Sequence, residues 1–269
     1  MKKLLWRTSA MLTLVGGTLL SSLASFGAEY TVSSAGQLNS LNLSAGDVVT
    51  WTDGTYSNQN ITFNGSGTQN NPIILKAETP GGVILNGSSK LNIYGSYLII
   101  EGFFWDGGEG ASDHVEFRKS GSNSEFANNC TIRNCGFDNL YTPEPGKSRW
   151  IVLHGTSNVV ENCSFVNKLS AGAAILVELS YAGSSTPGHT IRNNYFYNIT
   201  PKDHFSTNSG DCEAIRIGVS SYQAVSAQVL VEGNYFKAAD GENEIITNKS
   251  ADNTFLHNTF RNCRGSLVL

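Results

Sequence analysis

One six-residue phrase recurs along the chain and limits what the chain can fold into. It appears as IRNCGF (132–137), VENCSF (160–165), IRNNYF (191–196), VEGNYF (231–236) and FLHNTF (255–260), with IIEGFF (99–104) as a weaker copy. The closing phenylalanines stand at 104, 137, 165, 196, 236 and 260, spaced 33, 28, 31, 40 and 24 residues apart. A unit this short cannot bury its own apolar face, but stacked units bury a shared one, so a repeat of this period signals a solenoid. The units are β-branched and aromatic with no helical periodicity between them. That disfavours leucine-rich and ankyrin repeats and predicts an all-β, single-domain parallel β-helix. The unequal spacing predicts loops of different length leaving the coils, where solenoids usually bind. One slot of the phrase holds Cys135, Cys163, Asn194, Asn234 and Asn258. It reads as an inward ladder at a corner, with asparagine suiting the tight bend.

Composition agrees. The 28 glycines and 27 asparagines sit with only 15% charged residues, against about 25% in an average globular chain. A helical bundle would need more Ala, Leu, Glu and Lys, and a disordered chain fewer apolar residues than the 40% here. Towards the amino end, 33–41 reads as a short capping helix. Strands are predicted at 48–51, 61–63, 73–76, 83–85, 91–94 and 97–100, divided by Gly, Asn and Pro turns. At the other end, Leu267, Val268 and Leu269 read as mid-strand with no cap after them, so the β-helix domain, 29–269, is expected to be the front of a longer one.

Residues 1–28 are of another kind. Lys2, Lys3 and Arg7 precede an apolar run over 10–23 and small residues over 25–28, the pattern of a secretory signal peptide. No later run is long enough to span a membrane, so a secreted or periplasmic, bacterial location is expected. The 18 basic and 22 acidic residues give −4 overall. Three of the basic ones lie in 1–28, so the remainder carries −7. A nucleic-acid partner is not expected from such a balance, and a monomer is. The five cysteines lack metal-site spacing and read as small buried residues rather than as bridges.

Two segments depart from the repeat: NSGDCEAIRIG (208–218) and GENEIITNKS (241–250). Glu242 and Glu244, two apart, share a strand face, and their repulsion would be relieved by an oxygen-seeking cation such as Ca²⁺. Asp211, Glu213 or Asn208 could complete the shell. Otherwise the pair is simply solvated. Arg216, between Ile215 and Ile217, points outward if they point in. Lys249 lies five residues past Glu244, on the opposite face under strict alternation. It joins the same groove only if the chain bends near 247–248. His154 ends a strand and could line the groove, and Arg149 could fork a uronate carboxylate. Either could equally be structural, as could His204.

The blocks EAIRIG (213–218), NEIITNKS (243–250) and NTFRNCRGSLVL (258–269), with ILKAETPGGVILNG (74–87), resemble polysaccharide lyase family 6 along essentially the whole chain after residue 28. That family holds alginate lyases and the chondroitinase B type of dermatan sulfate lyase. The resemblance implies a right-handed parallel β-helix and calcium-assisted β-elimination on an acidic polysaccharide. It implies Lys249 as the base, Glu242 and Glu244 as calcium ligands and Arg216 as a substrate contact. The family's third ligand is an Asn before the IRIG strand. Here the matching stretch reads Gly210-Asp211, so Asp211 stands in. The family's catalytic arginine would fall just after Leu269, and without it the chain is expected to be inactive. Alginate is the expected substrate, since a sulfated glycan would call for more Lys and Arg. The alternatives are a dermatan sulfate lyase, a pectin-type lyase and a non-catalytic carbohydrate-binding β-helix.

Overall fold

The computed structural model describes residues 27–109, 112–142, 147–181, 183, 185–200 and 211–268. The expected signal peptide, together with His204 and Asn208, lies outside the described residues, apart from Gly27 and Ala28.

The strands form three sheets of nine, nine and eight strands, all parallel within each sheet, so the chain is a parallel β-helix. The first sheet runs from Glu29–Val32 through Val48–Trp51, Ile73–Ala77, Leu98–Glu101, Thr131–Arg133, Val159–Glu161, Thr190–Arg192 and Leu230–Glu232 to Thr254–Leu256. The second carries Lys90–Ser96, Asp113–Glu116, Arg149–Leu153, Ile175–Val177, Ile215–Ile217, Glu244–Asn248 and Ser266–Val268, with Asn60–Ser66 and Ala127–Asn128 also pairing on Lys90–Ser96. The third includes Phe103–Glu109, Gly136–Tyr141, Ser164–Lys168, Tyr195–Ile199, Tyr235–Ala239 and Thr259–Arg261. The predicted cap is a single helical turn, Ala35–Asn39. Ser34 is its N-cap and accepts from the Gln37 N–H.

The phrase that opened the argument crosses from the first sheet to the third. Its last residue stacks inward: Phe137, Phe165, Phe196, Phe236 and Phe260 follow one another at 5.1, 4.8, 4.7 and 4.9 Å between centroids, planes within 12°. These steps equal the distance between hydrogen-bonded strands. The rings are therefore held at strand pitch, each covering the next. The weak copy is off by one. Trp105, not Phe104, pairs with Phe137 and stacks on it at 4.8 Å, because Gly102 and Phe103 fill the slots of Asn134 and Cys135.

The corner divides between two neighbouring residues what the sequence put in one. The bend itself, with positive φ, falls on Asn134, Asn162, Asn193, Gly233 and His257. The next residue forms the inward ladder. Asn194 Oδ1 accepts from the Cys163 N–H at 2.9 Å, Asn234 Oδ1 from the Asn194 N–H at 3.0 Å and Asn258 Oδ1 from the Asn234 N–H at 3.0 Å. Each amide also donates one coil back, Asn234 to the Ile191 carbonyl at 2.9 Å. The corner thus satisfies backbone groups that no sheet reaches. None of the five cysteines is in a disulfide, and four of them are buried.

Candidate functional site

The second sheet builds the site because it breaks strand alternation. In each of four successive strands two neighbouring residues are buried: Trp150 and Ile151, Ala174 and Ile175, Ala214 and Ile215, Ile245 and Ile246. Simple alternation would put one of each pair outside. Having both inside brings residues three and five positions apart onto the same outer face. Register then assembles outer rows along the helix axis. Asp113 pairs with Arg149, and Glu213 falls in line with Glu244. Leu176 pairs with Arg216 and Arg216 with Thr247.

This is how Lys249 reaches the groove. The required bend is present, but at Ile245–Ile246 rather than near 247–248. The pairing with Ser266–Val268 shifts register between Glu244 and Ile246. Lys249 is anchored through its N–H to the Ile217 carbonyl at 2.8 Å, and its charge acts on both Glu213 and Glu242.

Glu213 is 3% exposed, with Oε2 lacking a hydrogen-bond partner among the described residues. Burial pushes its carboxyl up to about 7, and the Glu242 charge adds to the rise. Glu242 is raised too, first by burial and then by Glu244, while the Cys212 N–H donated at 3.2 Å, Arg216 and Lys249 oppose the shift. Glu242 does not share a strand with Glu244: it stands in the bend before strand Glu244–Asn248, where the Glu244 charge acts on it. Among the described residues no three His, Cys, Asp or Glu side chains converge as a closed metal cage.

Asp211 takes a different place. It forms ion pairs with both Lys147 and Arg216. Arg216 also donates from Nε to the Gly218 carbonyl at 3.3 Å and stands 4.0 Å from Glu213 Oε1. Lys147, Arg149, Asp211, Arg216, Leu176 and Glu178 line a cavity of about 200 Å³. Arg149 spends Nε and one terminal nitrogen on Asp113, at 2.5 and 2.8 Å, so its fork is already engaged by a carboxylate. His154 is 3% exposed, 4.0 Å from Glu116 at Nε2 and held near 3 by burial, then by Arg118 and Arg149, so it is neutral. It lines a second cavity, which meets the first at Glu178.

The model of the chondroitinase B family matches residues 32–269. The chain belongs to this family, polysaccharide lyase family 6. Solved family 6 lyases superpose well on it. A mannuronic acid specific family 6 lyase from human gut microbiota is 33% identical with TM-score 0.79, covering 89% of this chain and 55% of that one. The family 6 alginate lyase AlyGC is 29% identical with TM-score 0.78, covering 90% and 33%. The family 6 lyase Pedsa3628 from Pseudopedobacter saltans is 26% identical with TM-score 0.77, covering 89% and 54%. The chain thus spans between a third and just over half the length of these relatives. A comparison with curated proteins gave no match. No described helix of this family 6 chain is long and apolar enough to cross a membrane.

Structure brings to the family 6 cleft several groups that the sequence did not single out. Lys147 sits in a loop of no recognisable pattern. Glu178 could have been flagged, as a carboxylate directly after the apolar run ILV of strand Ile175–Val177.

Proposed function

We propose that the natural polypeptide carrying this chain cuts alginate by β-elimination. The reading is carried by the family match together with a sheet on which Arg216 lies in register with Thr247, two residues before Lys249, beside a cavity lined by Arg149, Arg216 and Lys147; Lys249 itself borders a neighbouring hollow with Gln223, Asn248 and Ser250. The cations draw the uronate carboxylate to the cavity. Lys249 accepts the C5 proton. The electron pair released forms the C4–C5 double bond, the C4–O bond breaks, and the departing oxygen takes a proton from water, while Lys249 returns its own to solvent.

Glu242 and Glu244 are the carboxylates that would hold a calcium ion, which would relieve their repulsion; no third His, Cys, Asp or Glu converges with them among the described residues, so other oxygens would complete the shell. Calcium, when bound there, would neutralise the uronate carboxylate and so acidify the neighbouring proton. Asp211, already engaged by Lys147 and Arg216, instead orients Arg216 toward the substrate.

The test is absorbance of the unsaturated uronate, with alginate and dermatan sulfate in parallel, with and without chelator, on the natural polypeptide that carries this chain. A chelator-sensitive rise on alginate supports the reading. A rise on dermatan sulfate alone moves the substrate to that glycan, and no rise on either sinks the elimination chemistry. Export through residues 1–28 belongs to the same proposal. It is checked by whether the protein outside the cytoplasm begins at Glu29.

A further inference from the structure

The second cavity, about 110 Å³, differs in character from the first. Three rings wall it. Phe126 and His154 lie 5.7 Å apart with planes within 6° of each other, and Tyr181 stands 6.3 Å from each, tilted by 28° and 32°. Tyr181 is 43% exposed while His154 is 3% exposed, so the panel reaches water through Tyr181. The rim is rigid, because Asn128 Oδ1 accepts from both the N–H and the hydroxyl of Thr156, at 3.0 and 2.9 Å.

No lysine or arginine is among the described residues lining this cavity. Its one charge is Glu178, which also borders the cavity of Arg149 and Arg216. A carboxylate accepts hydroxyl protons and repels another carboxylate. His154 Nε2 is buried without a hydrogen-bond partner, 4.0 Å from Glu116 Oε1. The strand before His154 pairs with the strand before Glu178, and that one with the strand of Arg216. Arg149 begins strand Arg149–Leu153 and His154 directly follows its other end, so the two cavities adjoin along the strand direction and meet at Glu178.

A ring that follows an acidic sugar in a polymer would meet this wall. Its C–H face matches the aromatic panel, and its hydroxyls match Glu178. We propose that Phe126, His154 and Tyr181 form a subsite that holds the next pyranose ring of the glycan by its face, with Glu178 accepting its hydroxyls and no cation pairing its carboxylate. The proposal rests on the lyase reading. It divides recognition in two: the arginine cavity reads the acid, and the aromatic one is indifferent to it.

The test is calorimetric binding of oligomannuronates of two to five residues to the natural polypeptide and to three variants, Tyr181→Ala, Tyr181→Phe and Arg216→Ala. Tyr181→Ala is expected to bind the longer oligomers roughly three- to tenfold more weakly, while the shortest is unaffected. Tyr181→Phe should restore most of the loss. The loss should persist at high salt, whereas the effect of Arg216→Ala should shrink as salt screens it. Tyr181 is exposed, so melting curves of the two Tyr181 variants should coincide with wild type. If Tyr181→Ala binds every length as wild type does, or loses the same factor at every length, the subsite is wrong. If Arg216→Ala still weakens binding in that case, the glycan reading survives. Failure of the wild type to bind any oligouronate overturns both.

Discussion

In the corner between the first and third sheets, successive coils put the same group at the same station: Asn194, Asn234 and Asn258 in one ladder, Phe137 to Phe260 in another. In the second sheet the outward stations change at every coil, from Asp113 to Arg149 to Ala173 to Glu213 to Glu244. Both regions use the same strand pairing. Repetition satisfies the corner, since a buried amide finds its partner in its own copy one coil on. Variation makes the cleft, since unlike charges are brought together at strand spacing. Beneath the cleft even the interior turns polar. His114 and Ser148 are hydrogen-bonded at 3.1 Å, and Lys168, 1% exposed, donates to the Ser170 carbonyl at 2.7 Å. Stability and chemistry are thus carried by different faces, and substitutions should separate them.

The sharpest separation is expected at Lys249. Lys249→Ala should lower elimination by roughly 10²–10⁴-fold, the usual share of a general base. Its melting temperature should stay close to wild type; a large drop would mean that the cleft also supports the fold. The mirror case is Phe165→Ala. Removing a fully buried ring stacked on both sides should cost roughly 3–5 kcal/mol in denaturant unfolding, with oligouronate affinity retained while the protein is folded. Asn234→Ala comes next. It strands the Asn194 N–H and the Ile191 carbonyl inside the corner, and roughly 1–3 kcal/mol of stability should be lost. A neutral result there would show that the ladder is not needed for the corner.

The smallest effect is a pH slope. Burial lowers His114 to about 4 and His154 and His189 to about 3, from the ordinary histidine value of about 6.5. The unfolded chain therefore binds more protons than the folded one below pH 6.5. Stability from these groups is whole above 6.5 and falls as the pH drops toward 4, by up to about 1.4 kcal/mol per pH unit for each histidine. His189→Gln should flatten that slope in urea titrations at pH 7, 6 and 5. An unchanged slope would mean that acid sensitivity arises elsewhere.

Much of the fold was legible because repetition is visible in a string. The phrase ending at Phe137, Phe165 and Phe196 gave the solenoid, and its Asn/Cys slot gave the inward ladder. The division of that corner between Asn193 and Asn194 was not legible, since both residues are asparagine and only backbone angles separate the bend from the ladder. The cleft was half legible. Glu242, Glu244, Arg216 and Lys249 stood out by charge in an uncharged chain. Their common face depended on Ile245 and Ile246 both turning inward, a break of alternation that two isoleucines do not announce. The partners of Asp211 and Arg149 were hidden for another reason. Lys147 is 64 residues from Asp211, and Asp113 is 36 from Arg149, so only the folded coil brings them together.

The parallel pairing of the second sheet has a consequence for how such a cleft can change. Every outward group on it is mounted on a hydrogen-bonded backbone lattice whose spacing side chains do not set. A substitution replaces the tool at one station and leaves the distance to the next station untouched. The cleft is in effect a ruler with interchangeable marks, and under the proposed lyase reading a polymer laid along it would be read at a fixed interval. New glycan preferences can arise one residue at a time without re-forming the instrument that measures them.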